Sequence, residues 1–277
     1  MVSFSDLGIG PAIVRELNKQ GISEPFEVQK ESIPDSLLGR DVCCRAPTGS
    51  GKTLAFGLPL IARTRRANSK RPTGLILTPT RELAEQINSV LRPIAQAVDR
   101  DIVSIYGGVS YKKQYNALNK GVDILVACPG RLIDLLDRRA LKLDDVETVV
   151  LDEADRMADM GFMEPVCEIL DLCAENRQTI LFSATLDEDV SELVKNYQNN
   201  PVTIEVGPKE VSIENMQHLF WTMKPHQKLR VTSEILTKCG KTMIFCKTRR
   251  GVDRLGAVSY THLRAHETEA DLVCRLL

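Results

Sequence analysis

The chain has 277 residues, 43% of them apolar and 26% charged, with 36 Lys and Arg balanced by 37 Asp and Glu. That is enough for one large domain or two ordinary ones with a genuine core. The near-zero charge excludes a binder that works by bulk positive potential, so any nucleic-acid surface must be local, built from a few basic groups and backbone donors.

No apolar run exceeds the five residues 124–128, too short to span a bilayer. The opening MVSFSDLGIG lacks the basic head and apolar stretch of a secretory signal, and a cytosolic, cytoplasmic location is expected. Eight cysteines occur without a C-x-x-C pair, so they are expected to be small core residues in a reducing compartment rather than zinc ligands or disulfide partners.

Short β-branched runs predict strands over 41–44, 74–78, 102–106, 123–127, 148–151, 179–182 and 202–206. Helical spacing fills the intervals, as in 81–98 and 111–119. Strand–helix alternation predicts an α/β fold with a mostly parallel sheet covered by helices on both faces. On such a sheet ligands sit at the carboxyl ends of the strands, so the residues that follow each strand carry the chemistry.

After the first strand comes Ala46-Pro47-Thr48-Gly49-Ser50-Gly51-Lys52-Thr53, and then a helix. Glycines there let successive N–H groups face phosphate oxygens, and the helix N-terminus adds a favourable dipole. Lys52 supplies a mobile positive charge for the β- and γ-phosphates, and the Thr53 hydroxyl suits Mg²⁺. The strand 148–151 ends in Asp152-Glu153-Ala154-Asp155, the other half of a metal-bound phosphate site. Asp152 would hold the ion and Glu153 would orient or deprotonate the attacking water.

Together these elements resemble the DEAD-box ATP-dependent RNA helicase family, with a bacterial look but no motif that fixes a subgroup. Further motifs match in order. Asp155 and Ser183-Ala184-Thr185 resemble the pair that couples hydrolysis to strand separation. Pro79-Thr80-Arg81, Gly107-Gly108 and Pro129-Gly130-Arg131 are similar to RNA-facing motifs, where Arg81 and Arg131 would hold phosphates without reading sequence. For each, a purely structural turn or helix cap stands beside the RNA role. Gln29 matches an adenine-reading glutamine, and Phe4 an aromatic that stacks on adenine. Phe26 and Cys128 depart from the family, which more often has Thr or Ser at the first position and Thr at the second.

The resemblance implies a RecA-like P-loop NTPase domain over 1–207, a linker over 208–228 with a strand-like stretch at 216–223, and the truncated start of a second RecA-like domain over 229–257. That start would comprise a helix over 229–236 and a strand over 242–246. Residues 258–277 resemble a translated sequencing-library adaptor and are expected to be non-native. His262 and His266 within them imitate a metal pair, but no zinc site is expected. The implied function of the intact parent is RNA-stimulated ATP hydrolysis coupled to local duplex unwinding, with ATP and Mg²⁺ as cofactors, RNA as partner and no membrane. The chain itself is expected only to bind ATP and Mg²⁺. The alternatives are an ATP-gated RNA clamp or assembly platform and another P-loop translocase.

Overall fold

The structure, a computed structural model, describes residues 2–207, 219–236, 238–239, 242 and 244–263. The chain divides into two compact units, Met1–Glu210 and Val211–Leu277.

The first unit runs α1 (Pro11–Lys19), α2 (Glu27–Leu37), β1 (Val42–Arg45), α3 (Lys52–Arg63), β2 (Gly74–Leu77), α4 (Arg81–Gln96), β3 (Ile102–Ile105), α5 (Tyr111–Lys120), β4 (Ile124–Ala127), α6 (Pro129–Asp137), β5 (Thr148–Asp152), α7 (Ala154–Asp159), α8 (Met163–Asp171), β6 (Gln178–Ser183), α9 (Glu188–Tyr197) and β7 (Val202–Glu205). Each strand predicted between residues 41 and 206 is present, shifted by at most one residue at either end. The order across the sheet is β3-β4-β2-β5-β6-β1-β7, and every pairing is parallel.

Side chains alternate between the two faces, as a pleat requires. Ile76, Val150, Ile180 and Phe182 enter one apolar cluster with α1 to α4. Leu75, Leu77, Val149, Leu151 and Leu181 enter a second with α5 to α9. Cys43 and Cys44 point to opposite clusters, both buried. Burial on both faces explains why these strands read as unbroken apolar runs.

The amino ends of the strands are tied together by side chains. Asp41 accepts the N–H groups of Thr179 (2.8 Å) and Asn199 (2.6 Å), although burial pushes its carboxyl above the usual range. Gln178 donates to the carbonyls of Ser36 and Arg40, and Gln198 to those of Val42 and Thr179. Asp123 accepts the N–H groups of Ala67 and Asp101. This edge is structural, and the chemistry falls to the opposite one.

In the second unit the expected helix forms as α10 (Lys228–Leu236), and α11 (Arg249–Leu263) runs unbroken across residues 257 and 258. The strand expected over 242–246 is absent among the described residues there, 242 and 244–246. An isolated strand leaves its N–H and C=O groups without a ladder, and no described residue of this unit forms a second strand to pair with it. The strand-like stretch at 216–223 has no strand over 219–223, and 216–218 lie outside the described residues, as does His266.

Candidate functional site

β6 lies between β1 and β5, so the ends of these three strands form one row. Cys44 and Asp152 flank Phe182 in the register, and Arg45 pairs with Ser183. The segment 46–53 leaves β1 as predicted. Gly49 and Gly51 take left-handed φ values of +81° and +91°, which non-glycine residues rarely adopt. Thr48 and Gly49 are exposed, and the Ser50 hydroxyl donates to the Pro47 carbonyl at 2.8 Å. Lys52 begins α3, is buried, and reaches back to the Ala46 carbonyl at 3.3 Å. Thr53 follows it in the first turn.

Asp152 closes β5, fully inside. Burial pushes its carboxyl up to about 7, against the pull of the Lys52 ammonium. Its Oδ1 has no hydrogen-bond partner. A buried carboxylate oxygen left unpaired is costly unless a cation or ordered water meets it. That donor fits Mg²⁺ held with Thr53. Glu153 has φ +55°, ψ +51°, a left-handed backbone in a non-glycine residue at the strand–helix junction. Its carboxylate is held by Arg156 at 3.1 Å.

Asp155 receives the N–H groups of Ala184 (3.2 Å) and Thr185 (3.0 Å) and the Thr185 hydroxyl (3.1 Å). Its own N–H donates to the Ser183 hydroxyl at 3.1 Å. Burial opposes its ionisation, but the hydrogen bonds around Ser183 and Thr185 outweigh it and hold the carboxyl below the usual range. The Ser183 carbonyl also accepts the Ala46 N–H at 2.9 Å. Ser183 therefore touches both the acidic motif and the root of the phosphate loop.

The two residues expected at the base both lie inside the lobe. Gln29 is buried, and its amide makes two hydrogen bonds within the chain. Its Oε1 accepts the Phe26 N–H and its Nε2 donates to the Gly51 carbonyl, each at 2.9 Å. It braces the phosphate loop and keeps one N–H and one oxygen lone pair beyond these two bonds. Phe4, with 2% exposure, packs inside the first apolar cluster, so its ring offers no open face for stacking. Phe26, by contrast, is 59% exposed and borders Gly51.

The ends of β2, β4 and β3 form the other half of the same edge and gather the three remaining motifs. Pro79 precedes Thr80, whose hydroxyl caps α4 by accepting the Leu83 N–H. Arg81 is exposed, with its guanidinium 5.3 Å from the Tyr106 ring centre. A Cβ placed on Gly108 (φ +79°) would lie 4.0 Å from the same guanidinium, and one on Gly107 would meet nothing within 4 Å. Pro129 and Gly130 open α6. Cys128 is its N-cap and makes no side-chain cap, so the hydroxyl absent from this position is absent as a cap too.

Arg131 is turned inward. Its side chain is 10% exposed, donates to the Val109 carbonyl and Gln114 Oε1, and stacks 4.3 Å from the Tyr111 ring centre. It braces the loop after Gly108 from behind instead of reaching outward. Gln114 escaped the sequence reading although it completes this brace by donating to the Tyr106 carbonyl at 3.1 Å. The available signal was a polar residue on the inward stripe Tyr111, Gln114, Leu118 of a predicted helix.

A family profile described as DEAD/DEAH box helicase matches residues 26–193. The chain is 40% identical to DEAD-box ATP-dependent RNA helicase 9 of Oryza sativa subsp. japonica, over 97% of this chain and 44% of that protein. It is 36% identical to DEAD-box ATP-dependent RNA helicase CshA of Bacillus cereus, over 97% of this chain and 51% of that protein. The chain thus spans about half the length, or less, of these relatives. The crystal structure of a DEAD box protein from Methanococcus jannaschii superposes with a TM-score of 0.71 at 30% identity, covering 96% of this chain and 70% of that one.

Proposed function

The chain belongs to the DEAD/DEAH box helicase family, and on that premise we propose that residues 1–207 bind ATP with Mg²⁺ on one half of the sheet edge and a single RNA strand on the other. In the intact parent these two events drive RNA-stimulated ATP hydrolysis and local duplex unwinding, in the cytoplasm. The observation that carries this reading is the unpartnered Oδ1 of buried Asp152, in the strand-end row to which Ser183 and the root of the phosphate loop also belong.

The backbone N–H groups of 48–53 and the Lys52 ammonium would cradle the phosphates, and Thr53 and Asp152 would hold Mg²⁺. An ion held there would neutralise charge on the phosphate oxygens. Glu153, at the strand end, is placed to orient the attacking water and accept its proton. Asp155 carries a change at this site to Ser183 and Thr185. Arg81, Gly107 and Gly108 are the outward groups of the RNA half. Such backbone contacts give binding without sequence preference.

For the 277-residue polypeptide alone we assign binding without appreciable turnover. In the family resemblance the second lobe supplies arginine fingers, groups worth roughly 10³ to 10⁵ in rate in related phosphoryl-transfer enzymes. The test is phosphate release with and without single-stranded RNA, beside titration of a fluorescent ATP analogue with Mg²⁺. Saturable binding with negligible release is expected. RNA-stimulated turnover at ordinary enzyme rates would refute the fragment assignment, and failure to bind the analogue would refute the site.

A further inference from the structure

Among the described residues β7 is an edge strand, paired with β1 alone. Val202 and Val206 donate their N–H groups inward, to the carbonyls of Asp41 (2.8 Å) and Arg45 (2.9 Å). Backbone groups alternate in direction along a strand, so the N–H and C=O of Thr203, an exposed residue, face away from the sheet. Native proteins usually blunt such an edge with Pro, Lys or a bulge. β7, Val-Thr-Ile-Glu, has none of these; its one charge, Glu205, is paired with Arg45 at 3.0 Å.

Beside this edge lies a cleft of about 500 Å³ between α2 and residues 202–207. Its helical wall carries Glu27, Glu31 and Asp35, one acid per turn. Asp35 is paired with Arg40 at 2.8 Å, whereas Glu27 and Glu31 are exposed and have no ion pair among the described residues. Four residues of helix advance about 6 Å, and two residues of strand about 6.6 Å. The acids are therefore spaced to meet every second side chain of an extended segment lying along β7. Negative charge here disfavours RNA, which the other end of the sheet is placed to receive.

The geometry points to a docking site for an extended basic segment of a partner protein, added to the sheet as a strand beside β7 with Lys or Arg at alternate positions facing Glu27 and Glu31. Main-chain hydrogen bonds to Thr203 would supply affinity, and the acid ladder would select the register. The docking is independent of the nucleotide site.

The test uses the full chain and a fluorescein-labelled peptide of three Lys-Val repeats, with three Glu-Val repeats as control, at low and high salt. Saturable binding of the basic peptide alone is expected. It should weaken about tenfold in the double variant Glu27→Lys, Glu31→Lys, which reverses two charges. Thr203→Pro, which removes the outward N–H and spares the pairing with β1, should weaken it by a similar factor. Titration of a fluorescent ATP analogue reports folding of each variant. Amide hydrogen exchange on the unmodified chain gives a readout free of mutation: the Thr203 amide should gain protection only with peptide. Absence of saturable binding would overturn the proposal. So would binding insensitive to Thr203→Pro, which means charge attraction without strand addition. Full protection of the Thr203 amide without peptide would also overturn it, because another part of the chain itself would then occupy the edge.

Discussion

Gly49 and Gly51 share a left-handed backbone but differ in their surroundings, and substituting each by Ala separates strain from crowding. A Cβ on Gly49 meets nothing within 4 Å, while one on Gly51 would lie 2.6 Å from Gln29 Nε2 and 2.6 Å from Phe26 Cδ2. Left-handed strain costs about 1–2 kcal/mol in both variants. Gly51→Ala must in addition displace the Gln29 amide, whose two hydrogen bonds contribute about 1 kcal/mol each. The expected loss is therefore about 1–2 kcal/mol for Gly49→Ala and about 3–4 kcal/mol for Gly51→Ala. In a lobe of this size that corresponds to Tm shifts of about 4 °C and 10 °C. Thermal unfolding followed by circular dichroism measures both, and adding Phe26→Ala to Gly51→Ala should recover part of the difference. Equal shifts for the two single variants would refute the idea that Gln29 and Phe26 clamp the loop.

Asp152→Asn should raise the stability of the metal-free chain above pH 7 while abolishing Mg²⁺-dependent nucleotide binding. The folded carboxyl titrates at about 7, above its ordinary value of 3.8. Its contribution is thus full below about pH 4 and lost as pH rises through about 7, a span of up to about 4 kcal/mol, measurable by urea titration across that range. Asp155→Ala removes the acceptor for three donors from Ala184 and Thr185 and should cost about 2–3 kcal/mol; an unchanged urea midpoint would contradict it. Arg81→Ala and Arg131→Ala should diverge. The first should lower RNA affinity and flatten its salt dependence by about 0.7 for each phosphate no longer neutralised, with Tm held. The second should lower Tm, because it empties a buried brace.

The inner strands were legible because burial on both faces leaves runs such as Gly74–Leu77 and Ile124–Ala127 with no polar alternation to confuse the period, and the two edge strands by their β-branched residues. The phosphate loop and the acidic strand end were legible because their chemistry demands residue types at fixed spacing. Partners were not. Gln29 has the donor and acceptor that adenine needs, but Gly51 and Phe26 need the same pair and lie within reach. Arg131 has the charge of a phosphate ligand, yet Gln114, Val109 and Tyr111 surround it, and only the fold brings them there. The strand expected near residue 244 had the right composition but has no neighbouring strand among the described residues of its unit.

The sheet order has a temporal side. β1, which carries the phosphate loop, is flanked only by β6 and β7, so Val42 waits for Ile180 and Val202 before it has any ladder. A chain emerging from the ribosome therefore exposes Val42, Cys43 and Cys44 until most of the lobe has been synthesised. Such long-range parallel pairing is slow to form and prone to aggregation. Nucleotide binding in a nascent chain should switch on abruptly once β6 and β7 have cleared the exit tunnel, and until then the adjacent thiols are open to oxidants.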